Sequence, residues 1–207
     1  MSYFTDYDNE FTVFEAPKNG GTTLRLWIYY AGTGELVKSA EAEYYAGTGE
    51  TYKQLQEWGY VNGKYEDPKT QRVCIKRDPV DRFVSAFYDK VIKEGRIKVT
   101  IDEFLSNYDE ILDKSTFKMN DGRTNFMKFH FESQTYHFGK DRDLYYKVFD
   151  ISEVGTGLKK YLERKWNIEL PDVHARNSGG GRKFDLSKGQ IDKVKKIYAQ
   201  DYDNGWY

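Results

Sequence analysis

An apolar, β-branched run that empties into a glycine turn and then a helix start constrains this chain more than any other stretch. Thr12, Val13 and Phe14 lead into Pro17-Lys18-Asn19-Gly20-Gly21, and Thr22-Thr23 then open a segment with helical spacing, Leu24-Arg25-Leu26-Trp27-Ile28. Strand, turn and helix start in that order make an anion cradle, because turn amides and the first-turn helix amides converge on one point. Gly20 and Gly21 leave no Cβ in the way of a ligand, and Lys18 adds a mobile positive charge. The order is not that of the ATP- and GTP-binding loop G-x-x-x-x-G-K-[ST], where the lysine follows the last glycine. Here Lys18 precedes both glycines.

A second stretch narrows the anion. Val73-Cys74-Ile75-Lys76 is a short strand candidate, followed at once by Arg77-Asp78-Pro79-Val80-Asp81-Arg82-Phe83-Val84-Ser85. Pro79 suits the first turn of a helix. Val80, Phe83, Val84 and Phe87 then fall at i, i+3, i+4 and i+7, a single buried face. Arg77 stands at the strand end and Ser85 two turns into the helix, a placement from which both reach one phosphate. The two stretches together resemble the PAPS-dependent sulfotransferases, which combine a P-K-x-G-[TG]-T-type loop with an R-D-P-x-x-R-x-x-S segment. Order and internal spacing match in both. The resemblance implies that Lys18, Asn19, Gly20, Gly21, Thr22 and Thr23 hold the 5′-phosphosulfate and that Arg77 and Ser85 hold the 3′-phosphate.

The back third extends the likeness to carbohydrate-type sulfotransferases. Tyr146–Asp150, Leu158, Tyr161-Leu162, Leu170-Pro171 and Asn177-Ser178 follow in their order, as does the ending Ile197-Tyr198 and Asp201-Tyr202. In that group a late loop closes over the cofactor, and Arg176, Ser178 and Arg182 occupy its place here. The implied fold is α/β, a P-loop-type parallel β-sheet flanked by helices in a single domain. The implied partners are PAPS, its product PAP, and a carbohydrate or small-molecule acceptor hydroxyl or amine, with no metal. Golgi relatives carry a membrane anchor. No apolar run here approaches bilayer length, so the expectation is a soluble, cytoplasmic form like those of bacteria or phage, without a signal peptide.

Composition agrees with that outline. Lys+Arg 32 against Asp+Glu 33 gives no basic field, which argues against nucleic acid as a partner. A single cysteine excludes an internal disulfide and fits a reducing compartment. Cys74 would need an arginine at position 80 for the phosphatase spacing, and Val80 stands there, so Cys74 reads as a buried strand residue. His130, His137 and His174 show no metal-ligand spacing.

The general base is less legible. Relatives take it, as His or Glu, from between the two phosphate motifs, a segment that here holds no histidine. Glu41 and Glu43, in Ala40-Glu41-Ala42-Glu43, are the candidates, since apolar neighbours raise a carboxylate pKa. His130 is the candidate outside that segment. Two other functions stand beside the transferase: a P-loop nucleoside or sugar kinase, with Asp150 as the only candidate Mg²⁺ carboxylate, and a non-catalytic module binding PAP or sulfated glycans.

For the remaining elements, a helix is expected over Leu24–Tyr30 ending near Gly32, a short helix over Thr51–Trp58, a loop over Gly59–Thr70, and a long helix over Pro79–Lys93. Thr100 with Glu103 forms a capping box. Tyr145–Asp150 reads as a strand, Ser152–Trp166 as a helix capped by Ser152, and Ser187 as the cap of a last amphipathic helix. The heptapeptide YYAGTGE recurs at Tyr29–Glu35 and Tyr44–Glu50, which reads as turn ends whose glycines supply positive φ.

Overall fold

The computed structural model describes residues 2–36, 55, 57–58, 60–62, 69–115, 127–173 and 184–207. In chain order, β1 (Ser2–Asp6), β2 (Phe11–Glu15) and α1 (Gly21–Thr33) come first. β3 (Tyr60–Asn62), β4 (Gln71–Lys76) and α2 (Pro79–Phe87) follow, and α2 runs on as a wider π-helical turn over Tyr88–Lys93. Next are α3 (Ile101–Ser106), α4 (Tyr108–Lys114), α5 (Met127–Phe131) and α6 (Gln134–Phe138). β5 (Lys147–Asp150), α7 (Lys159–Trp166), α8 (Lys188–Ile197) and α9 (Ala199–Asp203) complete the order.

The five strands form one sheet in the order β3-β1-β2-β4-β5. β2, β4 and β5 run parallel, with Val13 opposite Val73 and Ile75 opposite Phe149. This is the α/β arrangement expected from alternating strands and helices, and the central strands are apolar without alternation, as strands covered on both faces are. Every residue of β2 is buried, as are Val73, Cys74 and Ile75 of β4. β1 pairs antiparallel with β2 and with β3. The N-terminal residues 2–6 and the expected loop over 59–70 therefore both contribute strands. β1 turns into β2 because the Asp6 carboxylate accepts the Asn9 backbone N–H (2.9 Å) and side-chain amide (3.0 Å). Thr5 and Thr12, cross-strand partners, share a hydroxyl hydrogen bond of 3.1 Å that Thr70 extends at 2.6 Å.

Contacts divide the chain into two compact units. One, Met1–Lys76 with Asp141–Gly180, holds the sheet, α1 and α7. Its core joins Phe11, Val13 and Ile75 of the sheet to Leu24 and Trp27 of α1 and Leu162 of α7. The other, Arg77–Lys140 with Gly181–Tyr207, is helical, and its core is built on Phe83, Phe87, Phe104, Phe131, Val194 and Tyr198. The face predicted for α2, with Val80, Phe83, Val84 and Phe87, is the one buried there.

Helix ends show what local chemistry decides. Thr100 with Glu103 and Ser187 with Gln190 form the capping boxes their spacing predicts. α1 is longer than expected and ends at Gly34, whose φ of 74° lets its N–H reach Tyr30 O at 2.8 Å. Gly32 lies inside that helix, and a Cβ there would sit 2.7 Å from the Trp58 ring. The second YYAGTGE copy and most of Thr51–Trp58 fall outside the described residues, though Leu55 and Glu57 are helical.

The Ser152 cap is a correction. Asp150, the last residue of β5, accepts both the Ser152 N–H (3.0 Å) and hydroxyl (2.7 Å), while the Glu153 carboxylate returns to the Asp150 N–H (2.8 Å). The carboxylate wins the cap because it sits at the strand exit with extended backbone, and Ser152 is already inside the first turn. Helical turns over Ile151–Glu153 and Val154–Leu158 precede α7. Asp150→Ala is accordingly expected to cost about 1 kcal/mol, or about 2–4 °C in Tm for a chain of this size, with Ser152→Ala costing less; thermal unfolding followed by circular dichroism reads both.

Candidate active site

The turn after β2 is held in a tight, strained form. Lys18 has φ 71° and Gly20 φ 85°, so the lysine occupies a left-handed conformation that residues with a Cβ rarely adopt. Such strain persists where the surroundings over-determine it, and it collects at ligand sites. Asn19 supplies the restraint. It is fully buried, its N–H donates to Ala16 O (3.1 Å), and its side-chain Nδ2 donates to Ile75 O (2.7 Å) at the end of β4. Gly20 is required twice, by its φ and because a Cβ would stand 3.1 Å from Ile151 Cδ1.

Gly21 answers a different demand. A Cβ there would lie 2.1 Å from Glu15 Oε2, so the glycine makes room for the carboxylate that ends β2. Glu15 is buried and its Oε1 accepts from Arg25 Nη1 at 2.7 Å. A charge at the last position of an otherwise apolar strand, with an arginine one turn into the next helix, was the signal for this pair in the sequence.

α1 begins at Gly21 with Gly20 as its N-cap, and its first turn carries no carboxylate. Glycine brings no side chain to cap the first-turn amides, which lack intrahelical acceptors. The positive end of the helix dipole therefore meets the turn with Lys18, Thr22 and Thr23 around it and the Arg25-paired Glu15 carboxylate beside Gly21. The structure places Lys18, Asn19, Gly20, Gly21, Thr22 and Thr23 on one turn and the helix start that follows it, with the Asn19 side chain turned to the sheet. β2 and β4 are parallel neighbours and end on the same edge of the sheet, the edge where open α/β sheets bind ligands.

In the helical unit, Arg77 directly precedes Asp78, which caps α2 by accepting the Asp81 N–H at 2.9 Å, and Pro79 follows as the first helical residue. Arg77 and Ser85 are both half-buried. The Arg77 backbone is clasped by Gln134, whose Oε1 accepts the Arg77 N–H (2.8 Å) and whose Nε2 donates to the Arg77 carbonyl (2.9 Å). Gln134 in turn rests on Asp201. Neither was singled out as a site residue from the sequence.

Arg82, the second arginine of the same motif, has a structural place. It is fully buried; Nη2 donates to His130 O (3.4 Å) and its guanidinium lies 6.0 Å from the Tyr198 ring centre. The Tyr108 and Tyr198 hydroxyls donate to Phe131 O at 2.6 and 2.8 Å. A cation and two phenols thus meet the carbonyl end of α5, the favourable end for positive charge. Burial, with Arg82 nearby, holds the His137 imidazole down at about 2, a neutral ring that packs rather than titrates.

His130 lies half-buried on α5, beside Phe129. Glu41, Glu43, Arg176, Ser178 and Arg182 fall outside the described residues. Cys74 is fully buried, and burial pushes its thiol far above the ordinary range, which fits a strand residue and no nucleophile. Among the described residues no group of His, Cys, Asp and Glu is placed to hold a metal ion. Nor is any helix among them long and apolar enough to cross a membrane.

Gly21→Ala should displace Glu15 from Arg25 and cost about 1–3 kcal/mol of stability, as overpacking does. Adding Glu15→Ala should recover part of that loss, giving a coupling of about 0.5–3 kcal/mol in a double-mutant cycle read by urea unfolding.

No curated protein and no solved structure matches this chain. The model of the sulfotransferase family does, over residues 1–204, a span that takes in both units, the Pro17–Thr23 cradle and the Arg77–Ser85 segment. The chain belongs to the sulfotransferase family.

Proposed function

We propose that this chain moves a sulfuryl group from PAPS to an acceptor hydroxyl or amine on a carbohydrate or small molecule, by in-line displacement. The observation that carries the reading is the turn of Lys18 to Thr23: a strained lysine and a glycine-capped helix N-terminus with no carboxylate in its first turn. In such a transfer negative charge develops on the oxygen that leaves sulfur, and preorganised donors aimed at it lower the barrier. Lys18 is assigned that oxygen. The Gly20–Thr23 amides and the Thr22 and Thr23 hydroxyls are assigned the 5′-phosphate. Arg77 and Ser85 are assigned the 3′-phosphate, which separates PAPS from ATP-like nucleotides.

For the acceptor proton we assign a carboxylate of the Glu41–Glu43 pair, with His130 as the residue to test against it. Arg176, Ser178 and Arg182 are assigned to the late loop over the nucleotide. The kinase reading is less favoured: Asp150, its one candidate magnesium ligand, serves as a helix cap, and the family match is to sulfotransferases. A single, buried, free cysteine fits work in a reducing cytoplasm.

Nucleotide preference tests the donor. PAP should bind more tightly than 5′-AMP by a margin worth about 1.5–3 kcal/mol, the strength of hydrogen bonding to a charged group, and Arg77→Ala should erase most of it. Equal affinities for PAP and 5′-AMP in the unaltered protein, measured by calorimetry, would overturn the assignment. Turnover of PAPS across an acceptor panel separates an enzyme from a module that only binds PAP.

Lys18→Ala should lower kcat by on the order of 10²–10³, as loss of an oxyanion-type donor does, with PAP affinity less affected because the loop amides remain. Steady-state kinetics checks this: an unchanged kcat with a raised KM for PAPS would make Lys18 a binding residue only.

A further inference from the structure

Gln134 lies far from the Arg77–Ser85 segment in sequence and belongs to neither phosphate motif, yet it grips the Arg77 backbone. Its carboxamide satisfies both backbone groups of Arg77, accepting the N–H at 2.8 Å and donating to the carbonyl at 2.9 Å. An amide bonded this way imitates a neighbouring strand. It fixes the two peptide planes that flank Arg77 and with them the direction of the Cα–Cβ bond.

The grip is itself anchored. Gln134 is fully buried, and its own N–H and that of Thr135 donate to the two carboxylate oxygens of Asp201, at 2.9 and 2.7 Å. Asp201 is fully buried too, and its carbonyl accepts the Trp206 N–H at 2.8 Å. Charge-assisted bonds in a dry setting are strong and directional, and removing one partner leaves a buried group unsatisfied. A chain of hydrogen bonds thus runs from α9 through the first turn of α6 to the backbone of Arg77.

The side chain of Arg77 is a long lever on that backbone. A small rotation of its flanking peptides moves the guanidinium by ångströms, and bidentate phosphate recognition does not tolerate such a shift. We propose that Gln134 is a positioning residue that aims Arg77 at the 3′-phosphate of the nucleotide, with Asp201 holding Gln134 in place. The role rests on the reading of Arg77 given above. A merely structural glutamine would influence stability; a positioning one sets how well the protein tells PAP from 5′-AMP.

The test measures Kd for PAP and for 5′-AMP by calorimetry in the full chain and compares their ratio across variants. Gln134→Glu keeps an acceptor for the Arg77 N–H but turns a carboxylate oxygen on the Arg77 carbonyl, and should reduce the wild-type preference for PAP roughly tenfold. Asp201→Asn, which replaces one of the two acceptor oxygens by an NH₂ facing an N–H, should reduce it about threefold, acting through the first turn of α6 that carries Gln134. Circular dichroism identifies which variants are folded, and the ratio is read in those. A wild-type ratio in a folded Gln134→Glu or Asp201→Asn protein overturns the positioning role. Arg77→Ala separates the two levels. If it collapses the ratio while both other variants keep it, the positioning role fails and the reading of Arg77 stands. If it leaves the ratio unchanged, the reading of Arg77 fails and the positioning role falls with it.

Discussion

The hydrogen bond from Asn19 Nδ2 to Ile75 O is the contact on which the candidate site most depends. It fastens the turn after β2 to the end of β4, and it exists only because those strands pair in parallel, with Phe14 opposite Cys74. Together with the Asn19 N–H on Ala16 O, that tether restrains the turn in which Lys18 holds a φ of 71°. Burial makes the tether strong: Asn19 has no exposure, and an amide donor left unsatisfied in the interior costs about 1–3 kcal/mol. Backbone strain at Lys18 is therefore balanced by a bond made one strand away.

Charge is managed by the same principle of local satisfaction. Glu15 approaches the start of α1 because Gly21 has no Cβ, and Arg25 meets its carboxylate. Arg82 enters the helical unit's core because α5 ends there with carbonyls to receive it. Removing one member of such a buried pair strands the other, which is more damaging than the pair's own net contribution suggests. The two arginines of the R-D-P-x-x-R-x-x-S segment consequently do different work. Arg82 supports the fold, and Arg77, half-buried with a backbone clasped by Gln134, is the one assigned to the nucleotide in our reading.

Long-range anchoring of short elements recurs in the helical unit. α6 has only five residues, too few to be stable by itself. Its first-turn amides are held by a carboxylate from α9 and its cap by Ser133, which accepts the Tyr136 N–H. Such an element is a rigid support only because distant residues complete it, and that lets a glutamine on it define the geometry of an arginine.

Short-range chemistry was legible in the sequence. The strand, turn and helix start around Pro17–Thr23, the buried face of α2, the capping boxes at Thr100 and Ser187, and membership of the sulfotransferase family followed from residue order and spacing within a few turns. What only the tertiary structure decided are the partners brought from afar: β1 and β3 beside the parallel strands, Asn19 on Ile75, Glu15 beneath Gly21, Arg82 against α5, and Gln134 on Arg77. The Ser152 cap went to Asp150 because a strand exit, not a local pattern, set where the turn begins. The physical reason is common to all of these. Helix faces and caps are satisfied by neighbours in the chain, and their periodicity records it. A buried amide or charge is satisfied by whatever the fold places beside it, and no spacing along the chain records that.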